Sequence, residues 1–168
     1  MTGTAGVDVI VEAPEWAGVD LEGIAERACT AALTALGLPA DRFEIAVLAC
    51  DDARIAVLNA DFRGKPQPTN VLSWPAEEIA LPPGQTPALP DPGADGPPYE
   101  LGDIAIAYQT CAREATEQGK PLADHLGHLL VHAVLHLLGF DHINDADAAH
   151  MEGLETRILA NMGVADPY

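Results

Sequence analysis

The sequence predicts an α/β (α+β) fold in which a mixed four-stranded sheet packs with about five helices, and three observations lead to this prediction. The length of 168 residues suits a single domain, residues 1–168, with one hydrophobic core. Apolar residues make up 48% of the chain, enough to build such a core. Strand-like and helix-like segments follow in the order βαβαββααα, and the two adjacent strands in the middle favour a mixed sheet.

The first strand–helix unit is marked by an alternating segment and by helix stop signals. Residues 7–12 and 43–49 alternate or are rich in β-branched and apolar residues, so both are predicted as strands. Between them, Asp20 is placed to cap a helix that runs to about Leu36. Gly37 follows at the position where glycine commonly ends a helix.

A second helix begins after Asp51, a residue type that caps helix N-termini. Its apolar residues Ile55, Leu58 and Phe62 recur at helical spacing and are predicted to share one face. The following segment, residues 63–68, contains a glycine and two prolines, which exclude regular structure and predict a loop.

The middle of the chain is predicted as two strands separated by a long irregular insertion. Residues 70–74 form a short strand, and residues 103–108 alternate with Ile104, Ile106 and Tyr108 on one face. Between them, residues 75–100 hold eight of the fourteen prolines and three glycines, which predicts a proline-rich loop.

Three helices are predicted for the remainder of the chain. They cover residues 109–118, a strongly apolar and central segment at 122–138, and a last segment that Asn144 caps and that runs to about Asn161. Met151, Leu154 and Ile158 of the last helix are expected to face inward.

Composition restricts the classes of function. The net charge of −18 argues against general electrostatic attraction to nucleic acid, so an RNA ligand would need local positive charge, a metal or a delivering partner. Three scattered cysteines, Cys29, Cys50 and Cys111, indicate reduced thiols rather than a disulfide framework. No apolar run is long enough to span a bilayer and no signal peptide is recognised, so we expect a cytoplasmic protein that does not bind membranes.

The strongest chemical signal is a set of histidines near the end of the central helix. His132 and His136 are four residues apart, which puts both imidazoles on one helix face, about 5–6 Å apart at Cβ. Gly139 can adopt a left-handed backbone and reverse the chain, bringing His142 toward the same face. Three histidine ligands with one open position are typical of a catalytic metal site, most often zinc.

Two of the neighbouring histidines leave alternatives open. Any single histidine on an apolar helix can be a core residue bonded to a carbonyl, and a His128–His132 pair is also geometrically possible. The returning His142 favours the pair formed by His132 and His136. His125 and His128 are assigned to packing, support of the ligands or the rim of the site.

Asp141 and Ala133 bear on the same site. Asp141 could orient a ligand histidine or stabilise the turn. The histidine spacing matches the HExxHxxGxxH pattern of zinc peptidases except that Ala133 replaces the general-base glutamate. Since alanine cannot accept a proton, peptidase chemistry is disfavoured.

Three motifs in order resemble the YbeY family of bacterial endoribonucleases. They are the run HLLVHAVLHLLGFDH, the segment NADFRGKPQPTNVLSWP from Asn59 to Pro75, and LGDI from Leu101 to Ile104. Two positions depart from the family pattern: Ala133 stands where glycine is usual, and Trp74 where phenylalanine is usual.

The resemblance implies a zincin-like site in which one divalent metal, most often Zn²⁺, is bound by His132, His136 and His142. It also implies an active-site arginine at Arg63, with His132 as the second catalytic residue. The chain has only eight basic residues, and two of them, Arg63 and Lys65, lie within three positions and form a candidate anion site. From the residues alone a surface salt bridge fits Arg63 better, and the resemblance favours the anion site.

The function implied is single-strand-specific, metal-dependent cleavage of ribosomal RNA precursors, in maturation of the 16S rRNA 3′ end and in ribosome quality control. Implied partners are small-subunit ribosomal proteins or an assembly GTPase. Asn70 and Ser73 could contact RNA, but turn roles fit both better. The alternative is a metal-binding ribosome-assembly factor that acts through protein partners with little cleavage, which the acidic charge favours.

Overall fold

The protein forms one four-stranded mixed sheet with five α-helices, as predicted. The computed structural model describes residues 3–76, 89–140 and 145–168. Two short 3₁₀ helices at Pro14–Gly18 and Ala40–Arg42 supplement the main elements. In chain order, the main elements are β1 (Gly6–Val11), α1 (Leu21–Ala35), β2 (Phe43–Cys50), α2 (Asp52–Arg63), β3 (Val71–Pro75), β4 (Tyr99–Ala107), α3 (Tyr108–Glu117), α4 (Leu122–Leu137) and α5 (Asp145–Asn161).

The strand order is β1-β2-β4-β3, with three parallel strands and one antiparallel edge strand. β1 and β4 both run parallel to β2, and β3 pairs antiparallel with β4. This confirms the mixed sheet predicted from the two adjacent central strands. It also leaves β3 at an edge of the sheet, where it contacts α4.

Capping residues and a glycine set several helix ends close to the positions predicted from the sequence. The Asp20 side chain accepts a hydrogen bond from the Gly23 amide at 3.1 Å, and Asp51 accepts from the Arg54 amide at 2.8 Å. Each cap satisfies an amide that has no partner within its own helix. Gly37 follows α1 with a φ of +76°, the left-handed conformation that glycine adopts without steric cost.

The two faces of the sheet bury different clusters. On β4, Ile104 and Ile106 belong to the main core with α1, α4 and α5, whereas Ala105 and Ala107 pack in a smaller cluster with Ile55 of α2. Successive residues of a strand point to opposite faces, so α2 lies across the sheet from the main core. Met151, Leu154 and Ile158 of α5 are buried in the main core, as predicted.

One element boundary and one side chain differ from the prediction. Tyr108 begins α3 instead of ending the strand, because the Asp52 carboxylate accepts hydrogen bonds from the amide and the hydroxyl of Thr110 and fixes the first turn there. Tyr108 still packs against the main core with Ile104 and Ile106, as predicted. Phe62 does not join the inward face of α2, since its side chain is 63% exposed. Helical spacing predicts which residues share a face but not whether another element covers that face.

The described part of the proline-rich insertion is tied to the body of the protein by Arg42. Its guanidinium donates hydrogen bonds of 3.1–3.3 Å to the carbonyls of Gly93, Asp95, Gly96 and Pro97. No helix or strand is present in residues 89–98. Residues 77–88 of the predicted loop lie outside the described part of the chain.

The three cysteines are buried free thiols, as their scatter in the sequence indicated. Burial raises the pKa of Cys29 to about 12, and burial followed by nearby carboxylates raises that of Cys50 to about 12. Among the helices that the structure describes, none is long and apolar enough to cross a membrane.

We expect Gly102→Ala to destabilise the protein by about 2 kcal/mol or more. Gly102 has a φ of +155° beside a register irregularity between β2 and β4, and an added Cβ would meet the Trp74 carbonyl oxygen of β3. Gly153→Ala in α5 is the control, because a Cβ there meets nothing within 4 Å and alanine favours the helix. Urea unfolding of both variants measures the effect; equal stability of the two would contradict this account.

Candidate active site

The histidines of α4 face a cavity of about 830 Å³ between that helix, the edge strand β3 and the end of α2. This volume falls in the range of about 300–1,000 Å³ that small-molecule and cofactor sites occupy. His128, His132 and His136 line the cavity from α4. Arg63 lines it from α2, and residues 69–75 line it from β3 and the turn before it.

His132 and His136 converge as their spacing predicted. Their Nε2 atoms lie 3.0 Å apart, and the ring centroids are 4.5 Å apart. Gly139 has the left-handed backbone that was predicted for it, with a φ of +100°, and the Phe140 amide donates to the Leu135 carbonyl at 3.0 Å. His142, Asp141 and the predicted cap Asn144 lie outside the described residues.

A buried glutamate on α5 orients the first of these histidines. The Glu155 Oε1 atom lies 2.9 Å from His132 Nδ1 and 3.0 Å from His128 Nε2, and the residue is 1% exposed. Because a carboxylate accepts, His132 carries its proton on Nδ1 and its lone pair on Nε2, toward His136. This is the tautomer that an imidazole needs to bind a cation through Nε2.

The charge of Glu155 is maintained by its neighbours. Burial would raise the pKa of Glu155, but hydrogen bonds from His128 and His132, together with the electrostatic attraction of these two rings, lower it from 4.5 to about 2. The Tyr168 hydroxyl donates to the other carboxylate oxygen, Oε2, at 3.0 Å. Burial, and then the Glu155 charge, raise the pKa of Tyr168 above its usual range, which keeps that hydroxyl protonated.

Glu155 and Tyr168 were not predicted as site residues. They lie 23 and 36 positions beyond His132, and only the packing of α5 against α4 brings Glu155 to the histidine. The sequence did offer one signal, since Glu155 lies four residues after Met151 and three before Ile158, two residues predicted to face inward. A carboxylate that is predicted to be buried on a helix needs hydrogen-bond donors or positive charges beside it.

His125 lies apart from the cavity and serves packing. Its Nε2 atom is 2.9 Å from Glu114 Oε1, and the same oxygen accepts from the Asn70 side-chain amide at 3.0 Å. The Asn70 Oδ1 atom accepts from the Val71 amide at 2.7 Å, so this residue has the turn role that fits its type. This partly buried chain of three side chains thereby fixes the start of β3 against α3 and α4.

Arg63 is the last residue of α2, and a glycine turn holds it at the cavity. Gly64 has a φ of +69°, and its amide donates to the Ala60 carbonyl at 3.1 Å. The buried Asn59 donates from Nδ2 to the Gln67 carbonyl at 3.0 Å, folding the loop back onto the helix. Within the described part of the chain, Arg63 makes no ion pair, so the alternative of a surface salt bridge has no support there.

The described lining of the cavity contains no acidic side chain, and the Glu155 carboxylate lies behind His128 and His132. The chain as a whole contains 26 aspartate and glutamate residues. Lys65, the other member of the predicted anion site, is exposed but is not part of the described lining. Arg63 therefore gives the cavity a local positive charge against a net charge of −18.

The family model described as endoribonuclease YbeY matches residues 12–163 of this chain. The chain belongs to the YbeY family. The endoribonuclease YbeY of Dinoroseobacter shibae is 61% identical over 165 residues, which cover 98% of this chain and 91% of that relative. The endoribonuclease YbeY of Jannaschia sp. is 59% identical over 163 residues, covering 96% of this chain and 99% of the relative.

A solved structure resembles the fold of this chain at lower identity. The solution structure of TM1509 from Thermotoga maritima has a TM-score of 0.58 and 21% sequence identity, and the match covers 91% of this chain and 86% of that one. At this identity the likeness concerns the fold alone. The family resemblance predicted from the three motifs is confirmed.

We expect Asn59→Ala to loosen the loop that follows Arg63. Losing the buried side-chain donor leaves the Gln67 carbonyl without its partner, at a cost of about 1–2 kcal/mol. Amide hydrogen exchange should accelerate at Gly64, Lys65 and Gln67 but not in α4. Asn161→Ala, at the exposed end of α5, is the matched control, and unchanged exchange in the Asn59 variant would show that the clamp does not hold the loop.

Proposed function

We propose that this chain is a metal-dependent endoribonuclease that hydrolyses phosphodiester bonds of single-stranded ribosomal RNA precursors in the cytoplasm. The observation that carries the proposal is that Arg63 and the converging pair of His132 and His136 line the same cavity. The names of the relatives at 61% and 59% identity support the endoribonuclease class. The buried reduced thiols suit a reducing compartment.

The residues present fit a divalent metal ion. The Nε2 atoms of His132 and His136 are close enough to bind one ion, and Glu155 sets the required tautomer of His132. We infer that His142, which lies outside the described residues, is the third ligand. An all-imidazole ligand set suits Zn²⁺, and the ion would polarise a phosphoryl oxygen and lower the pKa of a bound water.

The other side chains of the site bind the phosphate and orient the histidines. The guanidinium of Arg63 binds nonbridging oxygens of the scissile phosphate and stabilises the negative charge that develops there. Glu155 acts through His132 by fixing its orientation, and Tyr168 supports Glu155. Water attacks the phosphorus and one bridging P–O bond breaks, which leaves a phosphomonoester on one fragment and a hydroxyl on the other.

The geometry disfavours the zinc-peptidase alternative. Ala133, which is 1% exposed, lines the cavity where a peptidase would carry its general base. Glu155 is a carboxylate close to the histidines, but it binds His132 on Nδ1, the nitrogen away from the His132–His136 contact. It is therefore placed to orient the imidazole and not to activate water beside Nε2.

Arg63→Ala should reduce the rate of RNA cleavage about 100-fold while fold and metal content stay unchanged, because one charged donor to the transition state is lost. The measurement is cleavage of a synthetic single-stranded RNA by purified protein, with His136→Ala as the inactive reference. Arg54→Ala is the matched control, since it removes an arginine from the same helix whose partner is Glu12. Normal turnover by the Arg63 variant would refute the assignment.

Stoichiometric metal without cleavage by the wild type would instead favour an assembly factor acting through ribosomal proteins or a GTPase.

Glu155→Gln should weaken metal binding about 10- to 100-fold, because a neutral amide supports the His132 tautomer less well than a carboxylate. Competition with a chromophoric chelator measures the affinity. Glu152→Gln, on the exposed side of the same helix, is the matched control. Equal affinities of the Glu155 variant and the wild type would show that the glutamate is structural.

A further inference from the structure

A pair of aromatic rings stands at the rim of the active-site cavity: one ring is exposed, and the other, Trp74, is partly buried against the smaller core cluster. Phe62, next to Arg63, is 63% exposed, and both it and Trp74 of β3 line the cavity. The two ring centroids lie 5.1 Å apart with an interplanar angle of 62°. We call Phe62 and Trp74 the rim pair.

The position of the rim pair distinguishes it from a scattered surface apolar residue. Val57 of the same helix is also exposed, at 50%, but it does not line the cavity. Single exposed apolar residues are common and need no explanation. The two aromatic rings adjoin Arg63, which makes no ion pair with any residue in the described ranges, and the described lining lacks carboxylates. Together they form a surface for a ligand that carries both rings and negative charge.

We propose that the rim pair stacks an unpaired nucleobase of the RNA strand whose phosphate is bound at Arg63. The inference rests on the proposed function and assigns the base-binding part of that same site. Nucleobases of single strands stack on aromatic side chains with little dependence on sequence, and arginine beside the rings binds the adjoining phosphate. Bases within a duplex are already stacked on their neighbours, so the rim pair selects single-stranded RNA.

The lining of the rim fits a nucleotide with its base better than a purely anionic ligand. A phosphate or a sugar–phosphate backbone would contact Arg63 but gains nothing from two aromatic rings. A nucleotide within a strand presents both a base and a phosphate, which are one sugar apart. The adjacent positions of Phe62 and Arg63 at the end of α2 match that pairing of a ring with a charge.

The protein contains its own probe for this contact. Of its two tryptophans, Trp16 is 2% exposed and donates from Nε1 to the Cys50 carbonyl at 2.8 Å, in the core. Trp74 is the tryptophan at the rim, and stacking of a base next to it should quench its fluorescence. A Trp74→Phe variant identifies the source of any change in emission.

The test compares three RNA probes that differ in the availability of bases. They are a ten-nucleotide single strand, the same strand with abasic residues and the same number of phosphates, and its duplex. The full-length wild type should bind the single strand with quenching of Trp74, and should bind the abasic strand and the duplex at least about tenfold more weakly. Gel analysis of the recovered RNA verifies that the probes are intact.

Phe62→Ala should weaken binding of the single strand about tenfold or more and leave binding of the abasic strand unchanged. Phe62→Tyr should restore binding, and Val57→Ala is the control for loss of an exposed apolar side chain from the same helix. Equal binding of both strands by wild type and Phe62→Ala, or unquenched Trp74 at saturating RNA, would overturn the proposal.

The outcomes separate this inference from the proposed function. Base-dependent binding that requires Phe62, in a protein that never cleaves RNA, would leave the rim pair in place and refute the endoribonuclease proposal. Cleavage of single strands with unchanged KM and kcat in Phe62→Ala would retain the endoribonuclease and refute the rim pair.

Discussion

The site depends on one buried carboxylate, that of Glu155. A carboxylate in the core is costly unless it is hydrogen-bonded, and here its oxygens are within 3.0 Å of His128, His132 and the Tyr168 hydroxyl. The same contacts join α5 to α4 and set the proton position on His132. The interaction that makes the buried charge tolerable is therefore also the one that prepares an imidazole for a metal ion.

The fold brings three separate parts of the chain to that imidazole. α4 is buried under the sheet and still exposes one row of histidines, because β3 is an edge strand and leaves a cavity beside it. The glycine turn after α2 brings Arg63 to the opposite wall. In an otherwise acidic protein, a cavity without carboxylates in its described lining provides a local place for a polyanion, which long-range attraction would not provide.

Much of this could be predicted from the sequence where the information is local. Asp20, Asp51 and Gly37 set helix ends through contacts within a few residues, and the spacing of His132 and His136 directly gives their convergence. The role of Glu155 and the exposure of Phe62 depend on which elements pack together. Periodicity contains no information on that packing. The start of α3 differs from the prediction by one residue for the same reason, since Asp52 fixes it from a distant position in the chain.

The most direct test of the central claim is X-ray absorption spectroscopy at the zinc edge of the zinc-loaded, full-length protein. The account predicts imidazole nitrogen scatterers at about 2.0–2.1 Å and no sulfur, with the signal altered by His132→Ala and by His136→Ala. Sulfur scatterers at about 2.3 Å, or a spectrum that neither substitution changes, would show that the metal binds elsewhere and would contradict the account.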